Sequence, residues 1–139
     1  MHKAWCSQRP EFVSLFFAEG GSLTINDRNP ATAREEISKV AESFMTAFPD
    51  IIVTMDSLVT TSEGAEFYWT FTGTNTGPGG SGKKVKISGV EIWQLDDNGR
   101  IKKSQGSFDT EKYNRQIKNG SENKCKTTTF NKKLTNIFI

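Results

Sequence analysis

The sequence predicts an α+β fold, a meandering antiparallel sheet with helices over one face. Three observations predict it. Apolar residues at helical spacing lie before Pro49 and again, briefly, after Asp109. Between them, residues 51–108 read as strands joined by short turns. The resulting order is helix, strand, helix, then four strands, which groups the strands instead of alternating them with helices. A chain of 139 residues is one domain's worth, with a single core and room for one pocket. A curved sheet with helices over its concave side leaves a cone that can hold a small apolar ligand.

Pro10 suits a first helical turn, and Phe12, Leu15 and Phe16 then share one face. Gly20 and Gly21 are expected to stop that helix, because glycine takes the left-handed cap conformation readily. A short strand follows over residues 22–26. The second helix opens around Asn29-Pro30, or at Thr32 with Glu35 completing a capping box. Its stripe is Ile37, Val40, Ala41, Phe44, Ala47 and Phe48, and Pro49 ends it. Residues 51–59 and 65–75 are rich in β-branched and aromatic side chains, and 85–95 alternates. Asp96-Asp97-Asn98-Gly99 makes a tight turn into a strand over 101–108. A short third helix follows Asp109, through residues 111–117.

Composition excludes several chemistries. The single histidine is His2, in a part of a chain that is usually loose, so a Ser–His–Asp or Cys–His arrangement has no convincing base. Cys6 and Cys125 form no C-x-x-C pair, which argues against a zinc site and against a disulfide framework. No metal and no organic cofactor is expected, and the default compartment is a reducing cytoplasm. Residues 1–10 lack the apolar stretch of a signal peptide, and no apolar run approaches the roughly 18 residues of a membrane span. Acid–base chemistry, if present, falls to carboxylates.

Charge is uneven. Residues 1–111 carry 11 basic and 15 acidic side chains, whereas residues 112–139 carry 7 basic and 1 acidic. The body is mildly acidic, and the basic character sits in an extension over 119–139. Such an extension can attract nucleic acid, but its aperiodic polar composition reads more simply as a solvated tail. Its apolar end, residues 134–139, is suited to docking on this body or on a second copy. Gly77-Pro-Gly-Gly-Ser-Gly82-Lys83 matches half of a phosphate-binding loop. Lys84 stands where a magnesium-binding hydroxyl would be needed, and a strand pattern follows instead of a helix. The loop is read as a flexible hairpin connection.

Several runs together resemble a known family. Phe16-Phe-Ala-Glu-Gly-Gly-Ser-Leu-Thr-Ile-Asn26 is similar to its first helix entering its first strand. Ala33-Arg-Glu-Glu-Ile37 and Phe44-Met-Thr-Ala-Phe-Pro-Asp50 resemble its second helix and exit. Thr72-Gly-Thr-Asn-Thr-Gly-Pro-Gly-Gly-Ser-Gly82 resembles its long hairpin. Ser88-Gly-Val-Glu-Ile-Trp93, Gln105-Gly-Ser-Phe-Asp109 and Tyr113-Asn-Arg-Gln116 resemble its last strands and terminal helix. The family is the SnoaL-like polyketide cyclases, within the nuclear transport factor 2-like (ketosteroid isomerase-like) superfamily. The likeness covers roughly residues 5–118, so the domain is drawn over 1–118. It implies a cone-shaped α+β barrel, often a homodimer through its sheet.

By this resemblance Asp109 is the candidate general base, which would remove a proton next to a carbonyl in a dry pocket. The bottom-up alternative is an ordinary helix N-cap. Gln105 and Ser107 share its face of the strand by period-two alternation, and Ser107 stands where family members often have histidine. Glu91 is mid-strand, where charge is costly unless paired or wet. It falls near the position where ketosteroid isomerases keep a protonated acid, or else it pairs with Lys86 or Lys103. Pairing Leu95 with Ile101 would put Glu91 opposite Gln105, whereas a two-residue Asn98-Gly99 turn would shift the register by one. Asp27 lies near where isomerases of this fold carry their base, or forms an Asx-turn before Pro30. Trp69 and Trp93 wall an aromatic pocket or belong to the core.

The expected function is a small-molecule pocket for an apolar or aromatic carbonyl compound. In it Asp109 acts as base, while Gln105, Ser107 and Glu91 polarise the carbonyl. The alternatives are a non-catalytic ligand-binding or dimeric scaffold protein, and an interaction module using its basic tail.

Overall fold

The computed structural model describes residues 1–121. The expected extension over 119–139 therefore lies, from residue 122 on, outside the described residues. In chain order the elements are α1 (His2–Cys6), α2 (Pro10–Ser14), β1 (Phe17–Ile25), β2 (Ala31–Thr32), α3 (Ala33–Ala47), β3 (Ile52–Thr60), β4 (Gly64–Thr74), β5 (Lys84–Leu95), β6 (Ile101–Phe108) and α4 (Thr110–Asn119). They build an α+β fold on a six-stranded sheet of order β2-β1-β6-β5-β4-β3, curved and unclosed.

The four strands from β3 to β6 pair antiparallel with their neighbours in sequence. Alternation drives this: Ala65, Phe67 and Phe71 of β4, and Val85 and Ile87 of β5, are buried on the inner face. The sheet departs from a pure antiparallel meander at one join, because β1 runs parallel to β6, with Leu23 opposite Ser104.

Gly20 and Gly21 do not end a helix. Helix α2 stops at Ser14, and both glycines lie inside β1, where the pairing with β6 shifts register between Phe17 and Ser22. A Cβ on Gly21 would come within 2.7 Å of the Ile101 carbonyl oxygen, so this glycine permits close backbone approach at a bulge. Helix α3 starts after Thr32, but the reciprocal bond comes from a different glutamate than expected. Glu36 Oε1 accepts the Thr32 backbone N–H at 2.8 Å, and Thr32 makes no side-chain cap. The Gly77–Lys83 connection packs on the end of α3, with the Gly77 N–H donating to the Ala47 carbonyl at 3.2 Å. It presents no helix N-terminus to a phosphate.

The core forms where α3 crosses the sheet's inner face. Ile37, Ala41 and Met45 meet Val13, Phe17, Phe48 and Phe71 there, all buried. Phe48 stands edge-on to Phe71 with ring centres 4.9 Å apart. Helix α4 closes the far end of the sheet, and buried Gln116 accepts the Lys86 backbone N–H at 2.6 Å. Among the described residues, no helix is long and apolar enough to cross a membrane.

Candidate active site around Glu91

Leu95 does pair with Ile101, but a bulge between Gln94 and Leu95 shifts the register of the rest of the hairpin. Glu91 consequently sits opposite Gly106, not Gln105. On its other side it faces Phe67 of β4. This register turns Glu91 to the inner face, and at 8 % exposure it is buried. Lys86 and Lys103 are on the outer face, so neither is its ion partner. Of the two registers the sequence leaves open, the bulge yields the outcome in which Glu91 and the Gln105 and Ser107 positions fall on opposite faces.

Burial sets the chemistry of this carboxyl. Trp93, two residues on along β5, shares its face and donates Nε1–H to Glu91 Oε1 at 2.9 Å. Ser104 is the cross-strand partner of Trp93 and donates its hydroxyl to the same oxygen at 2.9 Å. Removal from water pushes the Glu91 pKa above its ordinary value. The Trp93 and Ser104 donors and the Met1 α-amino group oppose that rise. Burial in turn lowers the pKa of the Met1 amine, and the Glu91 charge works against that shift.

Glu91 borders a cavity of about 70 Å³ between the sheet and the N-terminal helices, space for one small organic molecule or roughly two waters. Its walls are apolar. Trp5 of α1, Phe44 of α3, Phe67, Trp69 and Phe71 of β4, and Phe108 of β6 supply six rings. Leu23, Ile25, Val53 and Ile87 supply the aliphatic part, and Gly106 and Ser107 complete the wall at β6. Glu91 is the one ionisable side chain among these lining residues. An apolar chamber with a single buried carboxyl can bind a mostly apolar molecule and exchange one hydrogen bond or one proton with it.

Trp69 takes its place because Gly89 on β5 has no side chain. A Cβ there would overlap the Trp69 ring. Phe108 holds the other side of the indole edge-on, ring centres 6.1 Å apart. Its Nε1 is buried with no hydrogen-bond partner among the described residues. Trp93 is stacked on Phe67 at 5.2 Å and supports Glu91 from behind the lining.

Ser107 excepted, the remaining candidates lie elsewhere. Asp109 is exposed and caps α4, accepting the Lys112 backbone N–H at 3.0 Å, and it does not line the cavity. The capping alternative describes it, because its strand ends one residue earlier and the carboxylate turns to the open first turn of the helix. Gln105 points to the other side of β6, where its amide donates to the Asn26 and Gly106 carbonyls at 3.3 and 3.1 Å. Ser107 is exposed, yet it is among the residues that line the cavity, so of these candidates it alone meets Glu91 there. Asp27 is exposed in the turn after β1 and does not line the cavity. Ser104, Gly89 and Trp5 were not singled out as site residues by sequence. A glycine inside an alternating strand is the signal that could have found Gly89; Ser104 and Trp5 carry none.

This architecture, a curved mixed sheet with helices enclosing an inner pocket, defines a ketosteroid isomerase-like fold. A model of the SnoaL-like polyketide cyclases matches residues 1–117, and the chain belongs to that family. No curated protein matches it in sequence. Similar solved structures include a ketosteroid isomerase-like protein of Catenulispora acidiphila in complex with trimethylamine (TM-score 0.74, 15 % identity, covering 84 % of this chain and 87 % of that one). Another is a protein of Jannaschia described as a SnoaL-like polyketide cyclase (TM-score 0.71, 16 % identity, 81 % and 80 % covered). A third, from Bacillus cereus, is described as a polyketide cyclase (TM-score 0.69, 19 % identity, 86 % and 76 % covered).

Proposed function

We propose that the cavity binds a small, mostly apolar carbonyl compound and that Glu91, not Asp109, is the group that moves a proton beside that carbonyl. The observation that carries this reading is a buried carboxyl bordering an apolar cavity, with both its protein hydrogen bonds on one oxygen. Desolvation makes an ionised Glu91 a stronger base than a carboxylate in water, which favours abstraction of a proton next to a carbonyl. The same carboxyl, once protonated, returns the proton or donates a hydrogen bond to the carbonyl oxygen. Membership of a cyclase family agrees with this class of chemistry.

A second reading has its own support. Glu91 has no ionisable companion among the lining residues, which suits a binding protein whose neutral carboxyl only donates to its ligand. Acetone dissolved in D₂O separates the two. Proton NMR follows loss of its methyl hydrogens, and saturation transfer reports binding. The enzyme reading expects exchange accelerated by the wild type and lost in Glu91→Gln, with binding kept. Binding without exchange in the wild type selects the second reading, and no binding in either protein rejects the pocket.

We also propose that two copies pair through the outer face of the sheet. Ile52, Val59, Tyr68 and Ile92 share that face by register and are exposed there.

A further inference from the structure

We propose that Trp93 and Ser104 are positioning residues that dictate which oxygen of Glu91 serves the cavity. This rests on the reading of Glu91 as the working carboxyl and adds how the fold aims it.

Three side chains on two strands set the geometry. Trp93 Nε1–H can only donate, and it donates to Oε1 at 2.9 Å. The Ser104 hydroxyl donates to the same atom at 2.9 Å, in a site where Ser104 is fully buried. Oε1 thus has two hydrogens directed at it and no room for a third. Oε2 has no protein partner among the described residues, and Glu91 borders the cavity. A neutral Glu91 therefore carries its proton on Oε2. An ionised Glu91 presents Oε2 as the one oxygen free to accept a proton. Either way a ligand meets a single oxygen, held in one orientation.

Strand pairing builds the arrangement. Trp93 and Ser104 are directly opposite, and Glu91 is one residue pair further along, opposite Gly106. Gly106 leaves the carboxyl stem space, since a Cβ there would stand 3.6 Å from Glu91 Cγ. The charged group acting on Glu91 is the Met1 α-amino group, and the polar groups facing it are Trp93 and Ser104. The ligand class that follows is a neutral molecule offering one acceptor oxygen with an acidic C–H beside it.

The test uses the full chain with Ser104→Ala and Trp93→Phe, each removing one donor. Carbon-13 NMR of the Glu91 carboxyl reports its titration midpoint directly, without any ligand. Both donors favour the ionised form, so each variant is expected to move the midpoint upward. Acetone exchange is expected to fall at least tenfold while saturation-transfer binding changes less than threefold. Ser104→Ala removes only one oxygen and decides the matter if Trp93→Phe fails to fold. A midpoint unmoved in a folded variant overturns the proposal. A raised midpoint in a protein that never exchanges acetone upholds the positioning and rejects the catalytic reading, so the two failures are distinguishable.

Discussion

Glu91→Gln isolates what the buried carboxyl costs the fold. Glutamine keeps an oxygen for Trp93 and Ser104 and removes the ionisable group. Burial raises the Glu91 pKa in the folded protein above the ordinary 4.5. Between those two values the folded state holds a proton that the unfolded chain has released. Stability contributed by this group is therefore complete below pH 4.5 and is lost as pH rises through the folded pKa. One proton gives a limiting slope of about 1.4 kcal/mol per pH unit. Urea unfolding followed by tryptophan emission, from pH 4 to 8, measures both proteins, since Trp5, Trp69 and Trp93 all belong to or pack on the core. Groups that do not interact with Glu91 contribute equally to both and cancel in the difference; the Met1 amine, on which the Glu91 charge acts, does not. The wild type should lose ground to Glu91→Gln as pH rises above 4.5. A difference that stays flat across this range, or that grows in favour of the wild type, would refute the reasoning.

Asp109→Ala should lower stability by about 1 kcal/mol through loss of the α4 cap and leave acetone exchange unchanged; lost exchange would return the base to Asp109. Gly89→Ala should cost about 1–3 kcal/mol by overpacking and shift tryptophan emission, because the new methyl group contends with the Trp69 ring. Trp5→Ala removes one cavity wall and should raise exchange of cyclopentanone relative to acetone, measured side by side by NMR. Ile52→Lys combined with Ile92→Lys should turn a dimer into a monomer in sedimentation, and a wild type already monomeric would end the pairing proposal.

The fold was legible because burial imposes a period. Val85 to Leu95 alternates, Ile37, Val40, Ala41 and Phe44 recur at helical spacing, and both patterns follow from one face meeting the core. The parallel join of β1 to β6 was not legible, because strand direction leaves no mark on side-chain alternation. Glycine misled at Gly21, where a left-handed cap and a close-approach bulge call for the same residue, whereas Gly20 faces open space. The site depended on a single bulge beside Leu95. That extra residue decides whether Glu91 faces Gln105 or Gly106, and nothing in residues 96–100 announces it. Asp109 was ambiguous for a different reason, since a carboxylate at a strand end before a helix serves equally as cap or base until its direction is known.

The parallel join also orders events in time. Strands β3 to β6 form a contiguous hairpin meander whose partners are near in sequence, so each pairing closes a short loop at small entropic cost. Strand β1 must wait for β6, the last of the described strands in chain order, before Leu23 can find Ser104. The cavity draws Trp5, Leu23, Ile25 and Phe44 from the first 47 residues and its carboxyl wall from the rest. Ligand competence is therefore expected late in folding, when the N-terminal segment docks on the meander of β3 to β6. A ligand that bridges the two halves would act as a chaperone for that docking, and hydrogen-exchange protection of β1 is where its effect would first be read.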